Sequence, residues 1–220
     1  MNVTALPVPA AGNIWKRIGW ALLVLGGLFA AANAVVFMVV KGYGNPEIKE
    51  HFFATALAGW AHTMGGAVAI LIGPFQLITK LRTSWPRVHV WMGRTYLLAV
   101  LAGALGGLYF GPLSTAGTIG SIGFTTLALF WLYSGAQAYF AIRRGNVQVH
   151  RRWMLRNYAL TFGAATLRVE LPLLLIGGVT FPVAYTLVAW ISWVPNWLLV
   201  EAWLRRGRAP ARLRIVRREP

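Results

Sequence analysis

The sequence predicts an all-α integral membrane protein with about six transmembrane helices, on three observations. The first is composition: 57% of the 220 residues are hydrophobic and 12% charged, with a mean hydropathy of +0.59. An ordinary soluble domain carries about 25% charged residues, and one of this size has no core large enough to hide so much apolar surface. A bilayer solvates it instead. The second is segmentation, since six apolar runs each have about the 20 residues a span requires. The third is the placement of the basic residues, which fall in every second connection, as they do in multi-pass proteins.

The spans are expected at about 18–40, 52–79, 91–111, 118–142, 153–177 and 181–203. Lys16 and Arg17 precede the first. Lys80, Arg82, Arg87 and Arg94 lie around the connection before the third, and Arg143, Arg144, Arg151, Arg152 and Arg156 around that before the fifth. Seven arginines come after Trp203 in a basic tail, 205–220. The connections after the third and fifth spans have no basic residue. That after the first balances Lys41 and Lys49 against Glu47 and Glu50. The parity puts both termini in the cytoplasm, with the bacterial plasma (inner) membrane as the expected location and 1–204 as one transmembrane domain. Ala32-Asn33-Ala34 resembles a signal-peptide cleavage site, but the apolar run continues past it and is too long for a signal core, so the first span is read as retained.

Absences narrow the chemistry. The chain has no Cys and no Asp. Without Cys there are no disulfides, thiolate metal sites or covalent c-type haem. Without Asp, two-metal hydrolysis and an Asp-oriented triad lose their usual ligands. The net charge of +16 sits in short topogenic clusters, which argues against nucleic acid as a partner. The partners it fits are the bilayer and the anionic lipid headgroups of the cytoplasmic face.

One pattern repeats. Gln76, Arg82, Val88 and His89 match Gln137, Arg143, Val149 and His150 at one offset. After one inserted residue, Trp91, Met92, Arg94, Tyr96 and Leu98 match Trp153, Met154, Arg156, Tyr158 and Leu160. A duplicated helical hairpin, spans 2–3 and 4–5 in parallel, would give a four-helix core flanked by spans 1 and 6. Gly103, Gly107 and Gly111 offer span 3 a small-residue face for close packing. Gly73-Pro74, Pro172 and Pro195 are expected kinks.

Gly73-Pro74-Phe75-Gln76, the run Arg87 to Arg94, the run His150 to Thr161, and Trp193-Val194-Pro195-Asn196 resemble a family of predicted bacterial membrane proteins, the domain of unknown function 2306. The resemblance covers about residues 50–205. It implies a polytopic membrane protein and brings no activity with it.

Candidate sites therefore come from the residues. His62 in span 2 and Arg168 and Glu170 in span 5 are costly at membrane depth and call for an enclosed environment. With Gln76 they are the candidates for a ligand pocket. Arg168 and Glu170 are two residues apart and face different neighbours. Pro86 and Asn146 mark helix starts that set His89 and His150 in first turns, where a pair of neutral imidazoles could hold one b-type haem. The same helix starts, with Arg87, Arg94, Arg151, Arg152 and Arg156, suit an anion or lipid headgroup. Glu201 reads as a structural partner for a nearby arginine and His51 as a loop residue. Three function classes are open: a protein that binds or moves a small or lipidic ligand within the bundle, a single-haem electron-transfer protein, and a non-catalytic assembly partner. No motif specifies an enzyme class.

Overall fold

The computed structural model describes residues 12–206; most of the basic tail, from 207, lies outside them. Nine α-helices and no strand occur among the described residues: α1 (Gly12–Val39), α2 (Pro46–Ala54), α3 (Ala56–Gln76), α4 (Thr79–Ser84), α5 (Pro86–Phe110), α6 (Gly117–Arg143), α7 (Val147–Ile176), α8 (Phe181–Ile191) and α9 (Val194–Arg206). Six stretches are long and apolar enough to cross a membrane: α1, α3, α5, α6, α7, and α8 with α9 together. Successive spans reverse direction, so both ends of the described chain share one end of the bundle with α4. This is the basic end, and the opposite end carries α2.

Two expected spans are each split in the structure. The segment 52–79 breaks at Thr55, whose φ of −124° and ψ of 71° are not helical. Residues 52–54 thus belong to α2 at the far end. The segment 181–203 breaks at Ser192-Trp193. Pro195 is then the second residue of α9 rather than a kink within a span, a position where its missing N–H costs nothing. Spans three and five start earlier than their apolar runs suggested, at Pro86 and Val147, because helix starts obey capping chemistry and not hydropathy. Gly145 (φ 72°) ends α6 with Asn146 N–H donating to Ala141 O at 2.9 Å, a Schellman closure. Asn146 then caps α7 by accepting from Val149 N–H at 3.1 Å.

Helices α3, α5, α6 and α7 form a closed ring, with α1 packed on α3 and α7, α8 on α6 and α7, and α9 on α7. Glycine sets the distances. A Cβ on Gly65 would lie 2.6 Å from Ala99 O, and one on Gly106 2.7 Å from Ala58 O, so α3 and α5 meet backbone to backbone. The small-residue face of α5 is used inside the molecule in this way.

Gly73-Pro74 has a specific task. Proline removes the N–H that would have bonded Ile70 O. The Tyr158 hydroxyl donates to that carbonyl instead, at 3.3 Å. The missing side chain of Gly73 makes room for the Tyr158 ring, 2.0 Å from where a Cβ would be.

At the centre lies a polar hub. Asn157 on α7 is fully buried and donates to Trp131 O and Ser134 Oγ on α6, both at 2.8 Å. It accepts from the Tyr96 hydroxyl on α5 at 2.7 Å. Trp131 Nε1 donates to Thr161 Oγ1 at 2.8 Å.

Gly73→Ala should lower stability by about 1–3 kcal/mol, the usual cost of overpacking, because backbone and ring cannot both hold their positions. Tyr158→Phe should cost about 0.6 kcal/mol, the mean for a hydrogen bond between membrane helices. Unfolding in detergent would check both, and a Gly73→Ala protein as stable as the parent would contradict this account of the motif.

Candidate functional site

At the far end of the bundle the structure gathers part of the expected ligand pocket. His62 is the seventh residue of α3 and Arg168 the ninth from the end of α7. At a rise of about 1.5 Å per residue both lie roughly 9–12 Å inside their helices. The break at Thr55 brings them to this common depth. His62 Nδ1 is 2.8 Å from Gly103 O, so that nitrogen carries the proton. Its ring rests against Gly107, and its backbone and Cβ against Gly106. Phe52 and Phe110, stacked at 4.3 Å with 2° between their planes, close over it.

Arg168 turns to α1. Its Nε donates to Asn33 Oδ1 at 2.9 Å and Nη1 to Ala164 O at 2.7 Å. Both acceptors are neutral, and no carboxylate pairs with it among the described residues. Asn33 in turn donates to the Tyr43 hydroxyl. Tyr43 lines an open cavity of about 290 Å³ with Lys49, Glu50 and Phe53. A chain of polar groups thus runs from the surface at the α2 end to a guanidinium at membrane depth. An arginine has five N–H donors, and these two bonds engage two of them.

Glu170 faces elsewhere, as its spacing from Arg168 requires, and its Oε2 is buried without a partner. Gln76 sits at the other end of α3, about 21 Å from His62 along the axis. It is 9% exposed with Nε2 unpartnered, beside Gly93 of α5. The structure therefore brings Arg168 and His62 to one end and leaves Gln76 at the opposite one.

At the basic end His89 and His150 occupy first turns, fourth in α5 and in α7. His150 Nδ1 is 2.8 Å from Ala138 O, whereas His89 Nδ1 is buried without a partner. The arginines divide. Arg156 donates through Nε and Nη2 to Glu201 at 2.8 and 2.6 Å, and Arg205 reaches the other carboxylate oxygen at 3.4 Å. Trp153 stacks on Arg156 at 4.9 Å. Arg152, Trp197 and these groups line a groove of about 460 Å³ between α7 and α9. Arg87, Arg94 and Arg151 are exposed. No cluster of three or more metal-ligating side chains occurs among the described residues. His51 is exposed on α2 rather than in a loop.

Reading the sequence missed Asn33 and the Asn157 hub. Asn33 stands in the Ala-Asn-Ala run that resembles a cleavage site, yet an amide within an apolar span signals a buried partner. Asn157 lies within a recognised motif, but its three partners come from two other helices. Asn196, in Trp193-Val194-Pro195-Asn196, donates to Ser192 O at 2.9 Å and to Thr166 at 3.2 Å. That motif builds the junction between α8 and α9.

Compared with known proteins, residues 59–204 match the family model described as "Predicted membrane protein (DUF2306)". No curated protein and no solved structure matches the chain.

Arg168→Ala should lower the melting temperature in detergent by several degrees more than Arg206→Ala. Arg168 links α7 to α1 at membrane depth, whereas Arg206 is exposed at the end of α9. Equal shifts for the two would refute the structural weight given to Arg168.

Proposed function

The chain belongs to this family of predicted membrane proteins, and on that premise we propose that it binds a small anionic ligand at the α2 end of its helix bundle. The ligand bears a carboxylate or phosphate, and Arg168 is its counter-charge. One observation carries the reading: Arg168 stands in a membrane span with two neutral hydrogen-bond partners and no carboxylate partner among the described residues. A charge at the middle of a span costs about 2.5–3.5 kcal/mol on insertion scales, and less toward an end, and a guanidinium cannot shed its proton to avoid that cost. An anion removes the imbalance. Tyr43 and Asn33 supply a hydrogen-bonding route from the open cavity, which Lys49 and Glu50 both line. His62 forms an adjoining wall with one nitrogen committed to Gly103. With the basic end in the cytoplasm, as the positive-inside pattern indicates, this site opens to the outside. The arrangement suits capture or transfer of the ligand.

The test is thermal stability of the protein in nanodiscs of neutral lipid, titrated with a panel of small carboxylates and phosphates beside amine and uncharged analogues. At a hundred times its Kd a ligand adds about 2.7 kcal/mol. An anion should stabilise the parent, and Arg168→Gln should abolish the response. If no anion acts, or if Arg168→Gln responds like the parent, the ligand reading fails in favour of a non-catalytic assembly partner.

A second reading has its own observation. The bond from His150 Nδ1 to Ala138 O leaves Nε2 as the free nitrogen, which is how a carbonyl orients a metal-bound imidazole. One b-type haem between His89 and His150 would give a reduced-minus-oxidised band that the His89→Ala, His150→Ala protein lacks. A flat spectrum from folded protein prepared with haem supplied removes this reading.

A further inference from the structure

Two arginines at matching places in the chain have opposite surroundings. Arg156 lies over Trp153 and Arg94 over Trp91, each with its guanidinium carbon 4.9 Å from the ring centre. Arg156 is closed off by Glu201 and its side chain is 11% exposed. Arg94 is exposed and has no carboxylate partner among the described residues. The difference comes from α9, which covers the Trp153–Arg156 region of α7. Among the described residues the main neighbours of α5 are α3, α4 and α6, and nothing equivalent to α9 packs along it.

The uncovered face has a regular make-up. Arg87, Trp91, Arg94, Leu98, Leu101 and Leu105 succeed one another at spacings of three or four residues and all are exposed. Such spacing puts them on one stripe of the helix. The stripe starts at the basic end with two guanidiniums and an indole and goes on as leucine for about 16 Å beyond Arg94. Trp belongs at the level of the headgroups. A guanidinium stacked on an aromatic ring keeps its donor edge free for a phosphate.

We propose that this stripe is a site for one anionic phospholipid, its phosphate held by Arg94 and Arg87 and an acyl chain lying on the leucines. The covered stripe on α7 shows what the guanidinium requires, since there Glu201 supplies the negative charge. A parallel two-fold contact with a second copy through this face would set Arg94 against Arg94 and so bring no negative charge to it. The described carboxylates are also elsewhere, with Glu47 and Glu50 at the far end, Glu170 within a span and Glu201 paired to Arg156. The leaflet supplies a phosphate at the right depth.

The experiment is native mass spectrometry of the full chain released from nanodiscs of phosphatidylcholine with a minor fraction of phosphatidylglycerol. The parent should retain phosphatidylglycerol under activation that strips phosphatidylcholine. Arg94→Gln should reduce retention of one such lipid about five- to tenfold, on the order expected for losing a basic group near the headgroups, with its melting temperature unchanged. Arg156→Gln should lower the melting temperature and keep that lipid. Parent-like retention by Arg94→Gln overturns the site. So does equal lipid loss from both variants. A co-purifying protein released by Arg94→Glu, with no phosphatidylglycerol retained, would assign the stripe to a partner helix instead.

Discussion

The molecule depends on Asn157. A bilayer offers no water to polar groups, so each must find its partner within the bundle. Asn157 satisfies this completely: both amide hydrogens go to α6 and its oxygen accepts a hydrogen bond from the Tyr96 hydroxyl of α5. A hydrogen bond between membrane helices contributes only about 0.6 kcal/mol on average, and three such bonds are a modest sum. Their value is in specificity. Leucine against leucine packs at many rotations in lipid, whereas an amide with three required partners accepts one. That choice sets the positions of α5, α6 and α7, and those in turn set His62, Arg168 and the basic end.

Proline acts in the same system of obligations. Pro74 frees the carbonyl of Ile70 and Tyr158 takes it up. The break before Pro195 leaves Ser192 O to Asn196 and Thr166, and Ala189 O to the Trp193 indole. In each case an interruption in one helix becomes a contact with, or a cap for, its neighbour. Broken spans are tolerated where protein lines them, and both interruptions lie against α7, the helix that touches α1, α3, α6, α8 and α9.

The spans were legible because hydropathy over some 20 residues is a strong signal, and Pro86 and Asn146 marked the starts of α5 and α7 because capping chemistry is local. The split at Thr55 was not legible: Phe52, Phe53 and Ala54 are as apolar as the first turn of α3, and only tertiary packing decides that Phe52 covers His62. For the candidate site, the residues were legible and their partners were not. The cost of Arg168 and Glu170 can be read from their types, and spacing keeps them from pairing with each other. That Arg168 would choose Asn33, 135 positions away, requires knowing that α1 lies along α7. Gln76 shows the converse: polarity within an apolar run marks it, but only the three-dimensional arrangement sets it at the end away from His62.

Arg168 also separates a structural role from a ligand role by magnitude. As a tie between α7 and α1 it makes one bond to Asn33, worth a fraction of a kcal/mol to about 1.7 at most between membrane helices. Its charge carries an insertion cost of about 2.5–3.5 kcal/mol at the middle of a span, and less near an end, a cost the inserted helix bears whether or not it is packed against α1. A glutamine could donate to Asn33 without that cost. Hydrogen bonding alone therefore does not account for a guanidinium here, and Glu170 does not offset it because it faces other neighbours. The proposed anion would supply the missing counter-charge, and the Tyr43–Asn33 pair lies between Arg168 and the open cavity.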